Sequence, residues 1–235
     1  MNLEEFCDRF PSLLNQGSGG PMLGEASRQL IGDLLQDPCW FGEFLQNHIA
    51  DPAFLSDAPA SVFDNEIKLY RSPDKSFLLL AYIWDNRGQC PIHDHGAWGI
   101  IGGLIGSLRE IKYQRMDDHQ VEGYAELKQT SDSLIKPEDI RMILPLDKGI
   151  HQTGAADDQL TITIHVYGRS IQRGYIHYFD PGEKKVTRAN RRIQFRKDLA
   201  LKALAVLGEA VGKRFLTPDL IQALPEDLIK EFRGN

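Results

Sequence analysis

The stretch Cys90-Pro91-Ile92-His93-Asp94-His95-Gly96 contains two histidines separated by a single residue. In a β-strand, residues two apart point to the same side, so His93 and His95 can present both imidazoles to one point. Asp94 then points to the opposite side and is not expected to share their partner. Imidazoles that converge on one point are typical ligands of a transition metal. The stretch therefore predicts two ligands of one catalytic metal ion.

Short apolar segments lie on both sides of this stretch. The run 77–84 is apolar and aromatic, which favours a buried strand, and the polar residues 85–88 after it indicate a turn. Further segments of this kind are 98–105, 108–114, 123–129, 142–146, 160–167 and 174–179. Many short strands separated by turns predict an all-β sandwich or barrel.

The two ends of the chain have a helical rather than a strand-like pattern. We predict helical flanks over residues 1–56 and 191–235 and the β-barrel over residues 61–190. In the first flank, Leu30, Ile31, Leu34 and Leu35 recur at helical spacing. In the second, Thr217-Pro218 is a favourable helix start. We interpret residues 1–235 as a single domain whose helices cover the barrel.

Composition narrows the class of protein. The chain has 235 residues, 42% of them hydrophobic and 26% charged, with a net charge of −6. It is long enough for a sizeable core, and its charge gives no general attraction to nucleic acid or anionic membranes. Three scattered cysteines argue against a disulfide framework. The acidic N-terminus is unlike a signal peptide, and no apolar run could span a bilayer, so we expect a soluble cytoplasmic protein.

A third metal ligand is expected from a neighbouring strand. His151 is the best candidate, because it lies at a predicted strand edge after Gly149, which permits a close backbone turn. Three neutral imidazoles would leave a divalent ion its full charge and so favour an anionic ligand such as a thiolate. Imidazoles alone suit zinc, copper, nickel and iron equally well.

With these residues the chain resembles the cupin superfamily and, within it, the cysteine dioxygenase family of mononuclear iron thiol dioxygenases. The first cupin motif usually has a glutamate soon after its histidine pair and a later glycine. Here Gly99 and Ile100 stand at the glutamate positions and Gly106 is the later glycine; thiol dioxygenases lack that glutamate too. The resemblance covers residues 70–182. It implies a cupin double-stranded β-helix, or jelly-roll barrel, with Fe²⁺ held by the three histidines.

A second motif strengthens this resemblance. Thiol dioxygenases carry a Ser-x-His-x-Tyr series after the third ligand, and Thr163, His165 and Tyr167 match it on the polar face of the predicted strand. Threonine keeps the hydroxyl of the serine. The resemblance implies that Tyr167 offers its phenol to bound oxygen or substrate, while His165 and Thr163 orient it.

Two arginines are candidates for binding a substrate carboxylate, because a guanidinium can bind it in two places. They are Arg71, before the buried strand, and Arg173, after the Tyr167 strand. Animal cysteine dioxygenases crosslink a cysteine to the catalytic tyrosine, but that position falls at Gly99 or Ile100 here. Cys90 is not its equivalent and is interpreted as a small buried residue.

The leading hypothesis is an iron-dependent dioxygenase that oxidises a small carboxylated thiol, such as cysteine or 3-mercaptopropionate, to its sulfinic acid with O₂. One alternative is a cupin enzyme that acts on a non-thiol substrate. Another is a non-enzymatic cupin that binds a metal or senses a small molecule. No basic helix or helix-turn-helix signature supports a regulator of nucleic acid.

Overall fold

The computed structural model describes residues 1–14, 24–51, 54, 62–169, 175–189, 193 and 195–234. Within these ranges, helices lie before and after a central block of strands. The helices are α1 (Leu3–Leu14), α2 (Glu25–Leu35), α3 (Cys39–His48), α4 (Asp198–Val211), α5 (Pro218–Ala223) and α6 (Glu226–Gly234). None of them combines the length and apolar character that are needed to cross a membrane.

The strands between the helical ends form two antiparallel sheets. They are β1 (Glu66–Arg71), β2 (Phe77–Trp84), β3 (Ile92–His93), β4 (Gly99–Ile105), β5 (Leu108–Arg115), β6 (Leu127–Ile135), β7 (Ile140–Ile143), β8 (His151–Ala155), β9 (Thr161–Gly168), β10 (Ile176–Asp180) and β11 (Lys185–Ala189). One sheet has the order β1-β2-β9-β4-β7 and the other β11-β10-β3-β8-β5-β6. Strands β3, β4 and β5 pair with β10, β9 and β8. This nested pairing winds two antiparallel halves into a jelly roll, which confirms the predicted fold class.

Strand β2 is buried on both faces. Leu79, Ala81 and Ile83 pack with the helices, whereas Leu80, Tyr82 and Trp84 point into the barrel. A strand buried on both faces is apolar throughout, which explains why residues 77–84 lack alternation. The helices therefore cover the outer face of this strand, as predicted.

Features predicted for the flanks are also confirmed. Leu30, Ile31, Leu34 and Leu35 are all buried in α2. The Thr217 hydroxyl accepts a hydrogen bond from the backbone N–H of Leu220 at 3.2 Å and so caps α5. The three cysteines, Cys7, Cys39 and Cys90, are free thiols.

Two predicted strands have other bounds in the structure. The prediction of a strand at 123–129 was wrong for its first half, because regular pairing begins only at Leu127 and continues to Ile135. This strand is the edge of its sheet and its side chains are mostly exposed, so no apolar alternation marks it. The segment 142–146 was placed too late, since β7 ends at Ile143 and a 3-10 turn follows over Leu146–Gly149.

Candidate metal centre

His93, His95 and His151 converge in the barrel. One ring nitrogen from each lies within 4.8 Å of the others, and all three residues are buried. His93 is paired with His151 between β3 and β8, and the Nε2 atoms of His95 and His151 are 2.9 Å apart. Three imidazoles this close together fit a single transition-metal ion. The identity of the ion does not follow from these ligands.

The backbone around the histidine pair differs in one respect from the prediction. Strand β3 ends at His93, so His95 lies just beyond it. Asp94 is completely buried, and its carboxylate accepts hydrogen bonds from the backbone N–H and the Nδ1–H of His177, at 2.7 and 2.9 Å. These bonds to β10 hold Asp94 on the side away from the cluster, so both imidazoles face inward.

The loop before His151 is packed closely against the site. A Cβ atom at Gly149 would collide with the carbonyl oxygen of Leu144, so only glycine fits there. Leu146 adopts a left-handed φ of 55° and donates its N–H to the carbonyl oxygen of His95 at 2.9 Å. The loop thus fixes the backbone at two of the three histidines.

Hydrogen bonds on the far ring nitrogens orient two of the ligands. Nδ1 of His93 is 2.9 Å from the carbonyl oxygen of Pro91, and Nδ1 of His151 is 2.9 Å from Oε1 of Glu110. With Nδ1 donating to these oxygens, Nε2 of each ring carries the lone pair that a metal requires. Glu110 was missed in the sequence analysis. The signal was its position two residues after the apolar Leu108, on the inward side of a predicted strand.

Burial keeps His93 in the protonation state that suits a metal. Desolvation, reinforced by the neighbouring His151, lowers the pKa of His93 to about 3, so its imidazole is neutral. Burial acts to raise the pKa of Glu110, but the hydrogen bond with His151 and the charge of Lys112 hold that pKa below its ordinary value. Glu110 is therefore a carboxylate that contacts His151 directly and the rest of the histidine cluster only through it.

A chain of hydrogen bonds runs along the inner face of β9. Nε1 of Trp84 donates to Oγ1 of Thr163 at 2.9 Å. Oγ1 of Thr163 is 2.9 Å from Nε2 of His165, and Nδ1 of His165 is 3.1 Å from the Tyr167 hydroxyl. The Tyr167 ring stacks on that of His95 at 5.4 Å between centroids. The predicted polar series thus reaches the histidine cluster, and Trp84, which no sequence motif indicates, extends it.

Neither residue at the usual glutamate position can act as a ligand. A Cβ atom at Gly99 would lie 2.6 Å from Cε1 of Tyr167, so that ring occupies the space of any side chain. The Ile100 side chain belongs to the core on the helical side. Cys90 is buried as predicted, with Sγ 3.3 Å from Oγ1 of Thr153, and burial raises its pKa to about 11.

Of the two candidate arginines, Arg71 lies in the described part of the structure and Arg173 does not. The register of β1 shifts between Lys68 and Tyr70, and Arg71 then pairs with Leu78, which pairs on its other side with Tyr167. Directly paired residues share a face of the sheet, so Arg71 is on the Tyr167 face. Its side chain is exposed. Arg173 lies outside the described residues.

No protein-family model matches the sequence. Among solved structures, the chain is similar to a cupin-2 domain from Rhodospirillum rubrum, with 13% identity and a TM-score of 0.36, over 48% of this chain and 66% of that one. A Cupin 2 conserved barrel domain protein from Salinispora arenicola CNS-205 has 15% identity and a TM-score of 0.34, over 48% and 84%. A cupin-like protein from Thermotoga maritima has 13% identity and a TM-score of 0.35, over 51% and 83%.

Proposed function

We propose that this chain is an iron-dependent dioxygenase that converts a small carboxylated thiol, such as cysteine or 3-mercaptopropionate, into its sulfinic acid. In this reaction R–SH and O₂ give R–SO₂H, so both oxygen atoms end on sulfur and no external reductant is required. The observation that carries the proposal is the combination of a three-histidine cluster with a Tyr167 ring stacked on His95.

The donor set fits such an ion. His93, His95 and His151 would hold it through neutral nitrogens, so a ferrous ion would keep its full charge and attract an anionic thiolate. Bound there, ferrous iron supplies the Lewis acidity that deprotonates the thiol and the redox chemistry that activates O₂. The choice of iron rests on the resemblance to thiol dioxygenases rather than on the ligands.

Tyr167 is suited to act as a hydrogen-bond donor in this reaction. Burial, followed by the nearby charge of Glu66, raises the pKa of its phenol well above the ordinary value, so the hydroxyl keeps its proton at neutral pH. Burial also lowers the pKa of His165 well below its ordinary value, so this ring is neutral. Tyr167 then donates to substrate or oxygen, while His165 and Thr163 hold the phenol in place.

Arg71 is our candidate for the substrate carboxylate. It lies on the same face of the sheet as Tyr167, and its side chain is exposed. An arginine binds a carboxylate through two parallel hydrogen bonds and so orients the thiol. Arg173 remains a second candidate from the sequence. An arginine at this point predicts that thiols with a carboxylate are preferred over cysteamine.

The test is oxygen uptake by iron-reconstituted protein with cysteine, 3-mercaptopropionate and cysteamine measured side by side. We expect uptake with at least one carboxylated thiol, dependent on ferrous iron, and a large loss of turnover in Tyr167→Phe. If fully loaded protein consumes no oxygen with any of the three, the proposal is wrong. Turnover of a non-thiol substrate that is unaffected by Tyr167→Phe would favour a different cupin enzyme.

A further inference from the structure

The hydrogen-bond chain along β9 starts from a group that can only donate. An indole nitrogen carries a proton and has no lone pair available for a hydrogen bond. Trp84 is buried on the inner face of β2, and its Nε1 is 2.9 Å from Oγ1 of Thr163. At this contact, therefore, Thr163 is the acceptor.

This first bond determines what the Thr163 proton can do. Thr163 is completely buried, so its hydroxyl proton has no access to water. Among the described residues, the acceptor within hydrogen-bond distance of that hydroxyl is Nε2 of His165, at 2.9 Å. A buried donor without an acceptor is costly, so Thr163 donates to Nε2.

The direction of the Thr163–His165 hydrogen bond determines which nitrogen of His165 carries the proton. His165 is neutral because burial lowers its pKa, and a neutral imidazole carries one N–H. With Nε2 accepting from Thr163, that proton is on Nδ1, which donates to the Tyr167 oxygen at 3.1 Å. The neighbouring Tyr82 hydroxyl donates instead to Glu66, at 2.6 Å. The Tyr167 proton is then not taken up by His165.

We propose that Trp84 is a positioning residue that sets the direction of this chain: it fixes the Nδ1–H tautomer of His165, so that His165 donates to the Tyr167 hydroxyl and does not take up its proton. The catalytic meaning of this arrangement rests on the proposed function. The direction itself is a property of the protein without metal and can be measured there.

The test is ¹⁵N NMR of metal-free protein with labelled histidine, in which the two nitrogens of a neutral imidazole have distinct signals. The His165 signals are assigned by their loss in His165→Asn. In the wild type we expect the proton on Nδ1. A wild-type His165 with its proton on Nε2 would overturn the proposal without any further variant.

Variants test whether Trp84 is the cause. In Trp84→Phe the hydroxyl of Thr163 loses the indole as a donor, so either direction of the Thr163–His165 bond leaves part of that hydroxyl unpaired. We therefore expect the Nε2–H form to become populated. The matched control is Trp40→Phe, because Trp40 is equally buried and its Nε1 donates to the carbonyl oxygen of Leu34 in the helical layer. The control should leave the His165 signals unchanged. Unchanged signals in Trp84→Phe would contradict the assignment.

A second pair of variants tests the same direction if Trp84→Phe does not fold. Thr163→Ser keeps the hydroxyl and should keep the Nδ1–H form, whereas Thr163→Val removes the donor and should lose that preference.

With iron loaded, Trp84→Phe should lower kcat and change KM little, and Trp40→Phe should alter neither. A protein that shows the tautomer change but oxidises no thiol would support the direction of the chain and contradict the proposed function.

Discussion

Gly99 lies directly opposite Tyr167 in the β4–β9 pair, and a Cβ atom at Gly99 would be only 2.6 Å from Cε1 of the tyrosine ring. The absence of a side chain at this position is what allows the phenol to stack on His95. The same contact leaves no room for a carboxylate ligand or a cysteine. Gly99 therefore accounts both for the absence of a fourth ligand at this position and for the position of the Tyr167 ring.

Gly99→Ala should therefore move the Tyr167 ring. We expect a loss of turnover of about a hundredfold, as is typical when a reacting group is misplaced by about 1 Å, while the histidines still bind metal. Steady-state kinetics and metal titration of the same preparation check this. The control is Gly32→Ala in α2, where an added Cβ meets nothing within 4 Å. Equal turnover in the two variants would show that the Tyr167 position is not critical.

Glu110→Gln should weaken metal binding. It removes the charge behind His151 while keeping a similar shape, and loss of such a partner typically lowers metal affinity by about 10- to 100-fold. Competition between the protein and a chelator for Co²⁺ or Zn²⁺ measures this without any assay of activity. Asp198→Asn is the control, because Asp198 is an equally buried carboxylate that pairs with Arg87 and Lys202 instead. A similar loss of affinity in both variants would assign the effect to general destabilisation.

The metal-free protein should become less stable in mild acid. His93 has a pKa of about 3 when folded, against about 6.5 in an unfolded chain. Between these values the unfolded state binds more protons, so the free energy of unfolding falls as the pH is lowered from about 6.5 towards 3. At pH 5 this group alone lowers the free energy of unfolding by about 2 kcal/mol relative to neutral pH.

Urea unfolding at pH 7.5 and pH 5 measures the effect. His93→Asn should reduce the difference in stability between the two pH values. An identical pH dependence in His93→Asn and the wild type would show that His93 is not held neutral by burial.

Arg71→Met should raise KM for carboxylated thiols and leave cysteamine unaffected. Loss of a charged hydrogen-bonding partner costs about 1.5 to 3 kcal/mol, or about a tenfold to hundredfold rise in KM. Arg109→Met, which removes a guanidinium that pairs with Asp132 on the edge strand, is the matched control. If KM rises equally for cysteamine, Arg71 does not bind the carboxylate, and Arg173 becomes the next residue to test.

The features predictable from the sequence are those with a strong periodicity or a chemically rare spacing. The uniformly apolar run of β2 and the alternation in β9 mark strands, because burial dictates both patterns. The pair His93 and His95 was also recognisable, although His95 lies outside the strand and is directed inward by the bonds of Asp94 to β10.

The remaining features depend on contacts between distant parts of the chain. Edge strand β6 is polar because its side chains face water, so no apolar pattern reveals it. Glu110 reaches His151 across 41 positions, and Trp84 reaches Thr163 across 79. The local pattern can place Glu110 on the inward side of its strand, but it identifies neither partner, since each contact arises only when the strands pair.

The most direct test of the central claim is to follow isotopically labelled O₂ into the product of the iron-reconstituted protein. We predict that a carboxylated thiol is converted to its sulfinic acid with both labelled oxygen atoms on sulfur, at one O₂ consumed per product. Sulfinic acid that contains oxygen from water, or no product from a fully iron-loaded protein, would contradict the assignment as a thiol dioxygenase.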